Sequence, residues 1–148
     1  MSRVELRSRR EIYFANYRKI KSIEAKTMLE MTMRDYIPAV SKYIGKLSDN
    51  VKNLTAVIPG AKCLQESKHI EKLASLLEKT YASYAKLEKL QERAASIVST
   101  EEAAFFYCKD VSDAMKALRA NVDSLEVITA REAWPVPTYG DMTYGGIL

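Results

Sequence analysis

A chain of 148 residues has the length of one domain with one hydrophobic core and is short for a two-domain enzyme. Glycine and proline together number nine, most of them at positions 58–60 or after Trp134, which leaves the composition of long helices rather than sheets. The net charge of +4 is local, because residues 1–26 carry eight Lys or Arg against three Glu and the remainder sums to −1, so basicity gives no general case for a nucleic-acid binder.

The opening stretch ELRSRREIYFANY, residues 5–17, places Arg7, Arg9, Arg10, Tyr13, Phe14 and Tyr17 around most of the circumference of a helix. A helix that is apolar and charged on several sides has more than one neighbour. These six residues are therefore a candidate docking surface. The methionines and tyrosines of SIEAKTMLEMTMRDYIPA, residues 22–39, sit at helical spacing and read as packing. From Met33 onward Ile37, Val40, Ile44, Leu47, Val51, Leu54 and Ile58 step by four and three, the period of a seam facing other helices. Pro38 falls inside that seam, which predicts one helix over 4–58 bent near 34–38.

Pro59-Gly60 ends the first helix. Residues 65–98 then repeat the pattern more loosely through Ile70, Leu73, Leu77, Tyr84, Leu87 and Ala94. Ser99 with Glu102 three residues on makes a capping box for a third helix. Its seam is Ala104, Cys108, Val111, Met115, Leu118, Val122 and Leu125, with Cys108 a small buried thiol. Short connections make neighbours antiparallel, so residues 1–133 read as an all-α, elongated antiparallel bundle of three long helices. Residues 134–148, WPVPTYGDMTYGGIL, form an extended tail whose prolines and glycines forbid a helix. Trp134, Tyr139, Met142 and Tyr144 there have no periodic partner, so the tail docks on a surface, and Trp134 and Tyr139 join the candidate docking residues.

Catalytic chemistry finds little to use. His69, the one histidine, sits among charges in ESKHIEKL and reads as a surface residue without a nucleophile beside it. Cys63, His69 and Cys108 show no metal-ligand spacing, and acids such as Glu78 and Glu88 alternate with lysines as a solvated helix face. No Gly-rich phosphate loop is present. The expectation is a chain with no catalytic, cofactor-binding or metal residue of its own. Two distant cysteines and no leader-like stretch point to a cytoplasmic protein without structural disulfides. No apolar run approaches the roughly 18 residues that span a bilayer, so no membrane partner is expected.

Glu5, Leu6, Ser8, Arg9, Glu11 and Ile12, then Tyr17, IEAKTML at 23–29, IPA at 37–39 and the tail WPVPTYGDM at 134–142 together resemble the C-terminal helical region of type III glutamine synthetases. Arg10 stands where that family carries a tyrosine. The resemblance implies a non-catalytic, architectural domain that docks on the catalytic domain of the same polypeptide, within a ring-shaped homo-oligomer. It also implies a parent ATP-dependent ligase that uses Mg or Mn to phosphorylate the glutamate side chain and displace the phosphate with ammonia, all with residues upstream of this chain. Met1 followed at once by mid-helix sequence points the same way, to a piece of a longer polypeptide. The alternative is a free-standing helical module that binds nucleic acid or a protein partner through its basic first helix. Glu5, Glu11 and Glu24, interleaved with the basic residues, weigh against nucleic acid.

Overall fold

Ser2 opens the first helix with a reciprocal capping box: its Oγ accepts from the Glu5 amide at 3.2 Å, and its own amide donates to Glu5 Oε2 at 3.3 Å. In the computed structural model, which describes residues 2–137 and Met142, the chain is all-helical and no strand occurs among the described residues. Three helical runs account for it. The first comprises α1 (Arg3–Met31), a π turn (Thr32–Tyr36) and α2 (Ile37–Val57). The second is α3 (Leu64–Ser96). The third comprises α4 (Thr100–Phe106), a second π turn (Tyr107–Val111) and α5 (Ser112–Ile128), followed by a short 3-10 turn, Arg131–Ala133.

Local chemistry explains the breaks. Pro38 has no amide for the Arg34 carbonyl four residues back, and its ring crowds that carbonyl; the wide π turn directly before it relieves both. Helical structure therefore continues past Pro38 to Val57. It stops at Pro59 and Gly60, whose φ of 88° is the left-handed conformation glycine adopts without strain. Ser99 caps α4 as its sequence suggests, accepting from the Glu102 amide at 3.3 Å. In the second π turn the Tyr107 carbonyl receives the Ser112 hydroxyl at 2.8 Å as well as the Ser112 amide, so the widened turn leaves it well satisfied.

The residues gather into two compact units, Met1–Met31 with Tyr81–Ala120, and Thr32–Thr80 with the described residues from Asn121 onward. In the first, Ser22 faces Gln91 and Arg18 faces Ala95, so α1 and this part of α3 run antiparallel. Arg10 faces Glu101 and Phe14 faces Phe105, so α1 and α4 run parallel. Its core is Ala25, Leu87, Ala94, Ala103, Ala104, Tyr107, Val111, Ala114 and Leu118. The second unit buries Ile37, Val40, Leu73, Val122, Leu125 and Trp134, together with Thr32, Thr80 and Thr129. The Thr80 and Thr129 hydroxyls donate to carbonyls one turn back, Leu76 at 2.8 Å and Leu125 at 2.6 Å, which lets a polar side chain sit in an apolar interior.

Several side chains lie elsewhere than their spacing suggests. Cys108 is exposed, and Tyr107 and Ala114 take the buried positions that the seam reading gives to Cys108 and Met115. A step of three from Ala104 serves as well as a step of four, and the tyrosine ring removes more apolar area from water than a thiol does. In α2 the seam fades after Val40, leaving Leu54 and Ile58 exposed. His69 is half-buried, edge-on to Tyr43 with ring centroids 6.4 Å apart, rather than freely solvated.

Leu118→Ala should cost about 2–5 kcal/mol, because the site is fully enclosed. Tyr107→Ala should cost about 3–5 kcal/mol, by analogy with other buried aromatics. Cys108→Ala should stay within about 0.5 kcal/mol. Denaturant midpoints of the three variants check the register of the third run directly, since a costly Cys108 change with a silent Tyr107 change would restore the other register.

Candidate docking surface

Of the 29 residues of α1, only Ala25 is fully buried. Its backbone is held by the Ser2–Glu5 cap and by surface pairs, Arg7 with Glu11 at 3.4 Å and Lys21 with Glu24 at 2.8 Å, each worth tenths of a kcal/mol on an exposed helix. A helix of this length needs packing as well. One face supplies it: Phe14, Arg18, Ser22 and Ala25 follow each other at helical spacing toward α3 and α4. The Phe14 ring lies 5.6 Å from Phe105, the Arg18 guanidinium donates to the Ala95 carbonyl at 3.2 Å, and Ser22 accepts from Gln91 Nε2 at 2.9 Å.

The candidate residues divide between the two sides of this helix. Arg10 turns inward, paired with Glu101 and lying 5.4 Å above the Phe14 ring. Phe14 and Tyr17 are half-buried on the same side. Burial and the adjacent Cys108 thiol hold the Tyr17 phenol above its usual range, against weaker pulls from Lys21 and Ser112. Arg7 is exposed but lies on the Phe14 side, bordering a groove with Arg10 and Glu101, whereas Arg9 and Tyr13 face outward, and Tyr13 is 65% exposed although it stacks on Tyr17 at 6.5 Å. Trp134 lies apart from all of these. It is 7% exposed in the second unit, stacked on Tyr36 at 5.2 Å, and so is core rather than accessible surface. Tyr139 lies outside the described residues.

The outer side of α1 holds more than the aromatic and arginine count suggests. Leu6, Ile12, Ile20 and Ile23 are each more than half exposed and share a face with Tyr13. Their signal in the sequence is a spacing of seven, Leu6 to Tyr13 to Ile20, which a search for aromatics and charges passes over. Among the described residues no three His, Cys, Asp or Glu side chains gather where a metal could be held, and no helix is long and apolar enough to cross a membrane. The surface is suited to binding another surface.

Comparison with known proteins bears on what that surface belongs to. The glutamine synthetase C-terminal domain profile matches residues 1–55, which cover α1, the first π turn and nearly all of α2. The chain is similar to the C-terminal region of type III glutamine synthetases. The type-3 glutamine synthetase of Dictyostelium discoideum is 27% identical to it over 152 aligned residues, covering 97% of this chain and 20% of that protein. A glutamine synthetase of Butyrivibrio fibrisolvens is 28% identical over 140, covering 95% of this chain and 20% of its own length. These matches bear out the resemblance to glutamine synthetases, and the profile covers residues 5–39, which carry most of it. The chain spans about a fifth of the length of these synthetases.

Tyr36 offers a titration test of the second unit. Burial, then the nearby Asp35, Glu126 and Asp123 carboxylates, raise its phenol above the ordinary value of about 10. The folded state thus favours the protonated form. Its contribution to stability is complete below the ordinary phenol range and is lost as pH rises through the folded value. Tyr36→Phe should flatten the loss of stability on the alkaline side, measured as denaturant midpoints against pH. An unchanged alkaline slope would show that Tyr36 titrates as in the unfolded chain.

Proposed function

We propose that this chain is the non-catalytic, architectural C-terminal helical region of a cytoplasmic, ATP-dependent glutamate–ammonia ligase. In this reading it docks through the outer face of α1 on the rest of that enzyme, either the catalytic domain or a neighbouring subunit of a homo-oligomer. One observation carries the reading: the segment that matches the glutamine synthetase C-terminal domain contains a long helix, α1, whose outer face is left largely apolar and exposed. An apolar face of that length on a helix already packed on its other side is the mark of a part made to fit a larger whole.

The division of labour follows. The parent reaction transfers the terminal phosphoryl group of ATP to the side-chain carboxylate of glutamate, with Mg or Mn, and ammonia then displaces phosphate to leave the amide. No residue of this chain is assigned a step in it. The competing nucleic-acid reading relies on free arginines, whereas Arg10 is engaged by Glu101 and Arg7 by Glu11.

The purified chain supplied with ATP, glutamate, ammonia and Mg or Mn should form no glutamine. Turnover that follows the chain through every purification step would overturn the non-catalytic assignment. Sequencing upstream of the region that encodes residue 1 checks the other half of the reading, with an in-frame ligase catalytic region as the expected result.

A further inference from the structure

The outer face of α1 has the spacing of a helix-pairing seam. Leu6, Tyr13 and Ile20 recur every seven residues, and Arg9, Asn16 and Ile23 follow each by three, so the six form the two rows of a heptad pattern. All six are exposed. Five of them lie on the side away from Phe14, Arg18 and Ala25, and Leu6 sits at its edge, bordering the groove that Phe14 shares with Glu101, so most of the face is not occupied by the helix's own unit.

We propose that this seam pairs with the same seam of a second copy, antiparallel, about a two-fold axis near residues 14 and 15. The proposal rests on the docking half of the function given above and narrows its occupant to one. In an antiparallel pair the two rows meet each other. Leu6 of one copy then lies against Ile23 of the other, Arg9 against Ile20, and Tyr13 against Asn16, and the two-fold repeats each layer. Each layer contains an apolar or aromatic side chain, and the aliphatic stem of Arg9 can lie along Ile20 with its charge at the edge.

Charge beside the seam fits this arrangement, and charge inside it discriminates against the parallel one. In the antiparallel register Arg3 flanks Glu24 of the second copy and Glu5 flanks Lys26, each twice; all four residues are exposed, and the two acids would add these partners to the ones they have on their own helix, Lys21 for Glu24 and the Ser2 amide for Glu5. In the parallel arrangement the two Arg9 side chains would face each other inside the seam, with Asn16 against Asn16. Like charges brought together away from water are costly. The antiparallel surface is also self-complementary, which is what an interface between identical copies across a two-fold requires.

Sedimentation equilibrium of the chain carrying Cys63→Ser and Cys108→Ser should give a dimer that persists at high salt, since apolar area drives it. Tyr13→Ser with Ile20→Ser should weaken the dimer by about 30-fold or more, the scale of a central aromatic anchor, while circular dichroism stays unchanged because both sites are exposed. Orientation is read by oxidation. A mixture of Leu6→Cys and Ile23→Cys chains, distinguished by a tag on one, should form the mixed disulfide, and Leu6→Cys alone should form none. A Leu6→Cys homodimer would mean parallel pairing and overturn the proposal. So would a monomer at every concentration, or a dimer indifferent to the Tyr13 and Ile20 changes, and the seam would then belong to another segment of the longer enzyme or to no partner. None of these results touches the glutamine assay or the upstream sequence, so the non-catalytic assignment and the parent enzyme are tested apart from the pairing.

Discussion

Every seventh residue of α3, from Leu73 through Thr80 and Leu87 to Ala94, is sealed from water. This one stripe supplies both cores, Leu73 and Thr80 to the second unit and Leu87 and Ala94 to the first. The alternation of large and small side chains along it governs what can lie alongside. The core of the first unit holds five alanines, Ala25, Ala94, Ala103, Ala104 and Ala114, whose small side chains allow close approach, and Tyr107 provides bulk. Thr80 is tolerated only because its hydroxyl reaches the Leu76 carbonyl on its own helix. A valine there would keep the shape without that bond, whereas a larger residue would have to push a neighbouring helix aside.

How much of this could be read beforehand depended on whether apolar periodicity or local polar chemistry decided the outcome. The helical class, the stop at Pro59-Gly60 and the Ser99 cap follow from residue types whose backbone preferences survive any tertiary context. The register of the third run did not follow. Hydropathy ranks cysteine and methionine above tyrosine and alanine, so Cys108 and Met115 seemed better seam residues than Tyr107 and Ala114, although spacing allows either pair. Thr80 and Gln91 were invisible for a related reason, since their burial rests on hydrogen bonds to Leu76 and Ser22 that no hydropathy scale records. Trp134 lies in a stretch without periodicity, where nothing distinguishes a residue that covers its own core from one that waits for a partner.

The division of the first helix into two sides was not legible. Six aromatic and basic residues in thirteen suggest neighbours on several sides, whereas the described residues cover one. Which side faces which neighbour turns on rotations of about 100° per residue. On that scale Tyr13 and Phe14, adjacent in the chain, belong to different surfaces. Phe14 meets Phe105 while Tyr13 points to solvent with Leu6 and Ile20.

Each unit is assembled from two stretches that lie far apart in the chain, residues up to 31 with 81–120 and residues 32–80 with those beyond 120. That has a consequence for synthesis. When α1 has left the ribosome, the helices that cover its inner face are still about fifty residues from being made. At roughly 5–20 residues per second the delay is several seconds, against about a microsecond for a helix to form. The inner face of the capped helix therefore waits uncovered, and neither unit can close until the third run has emerged.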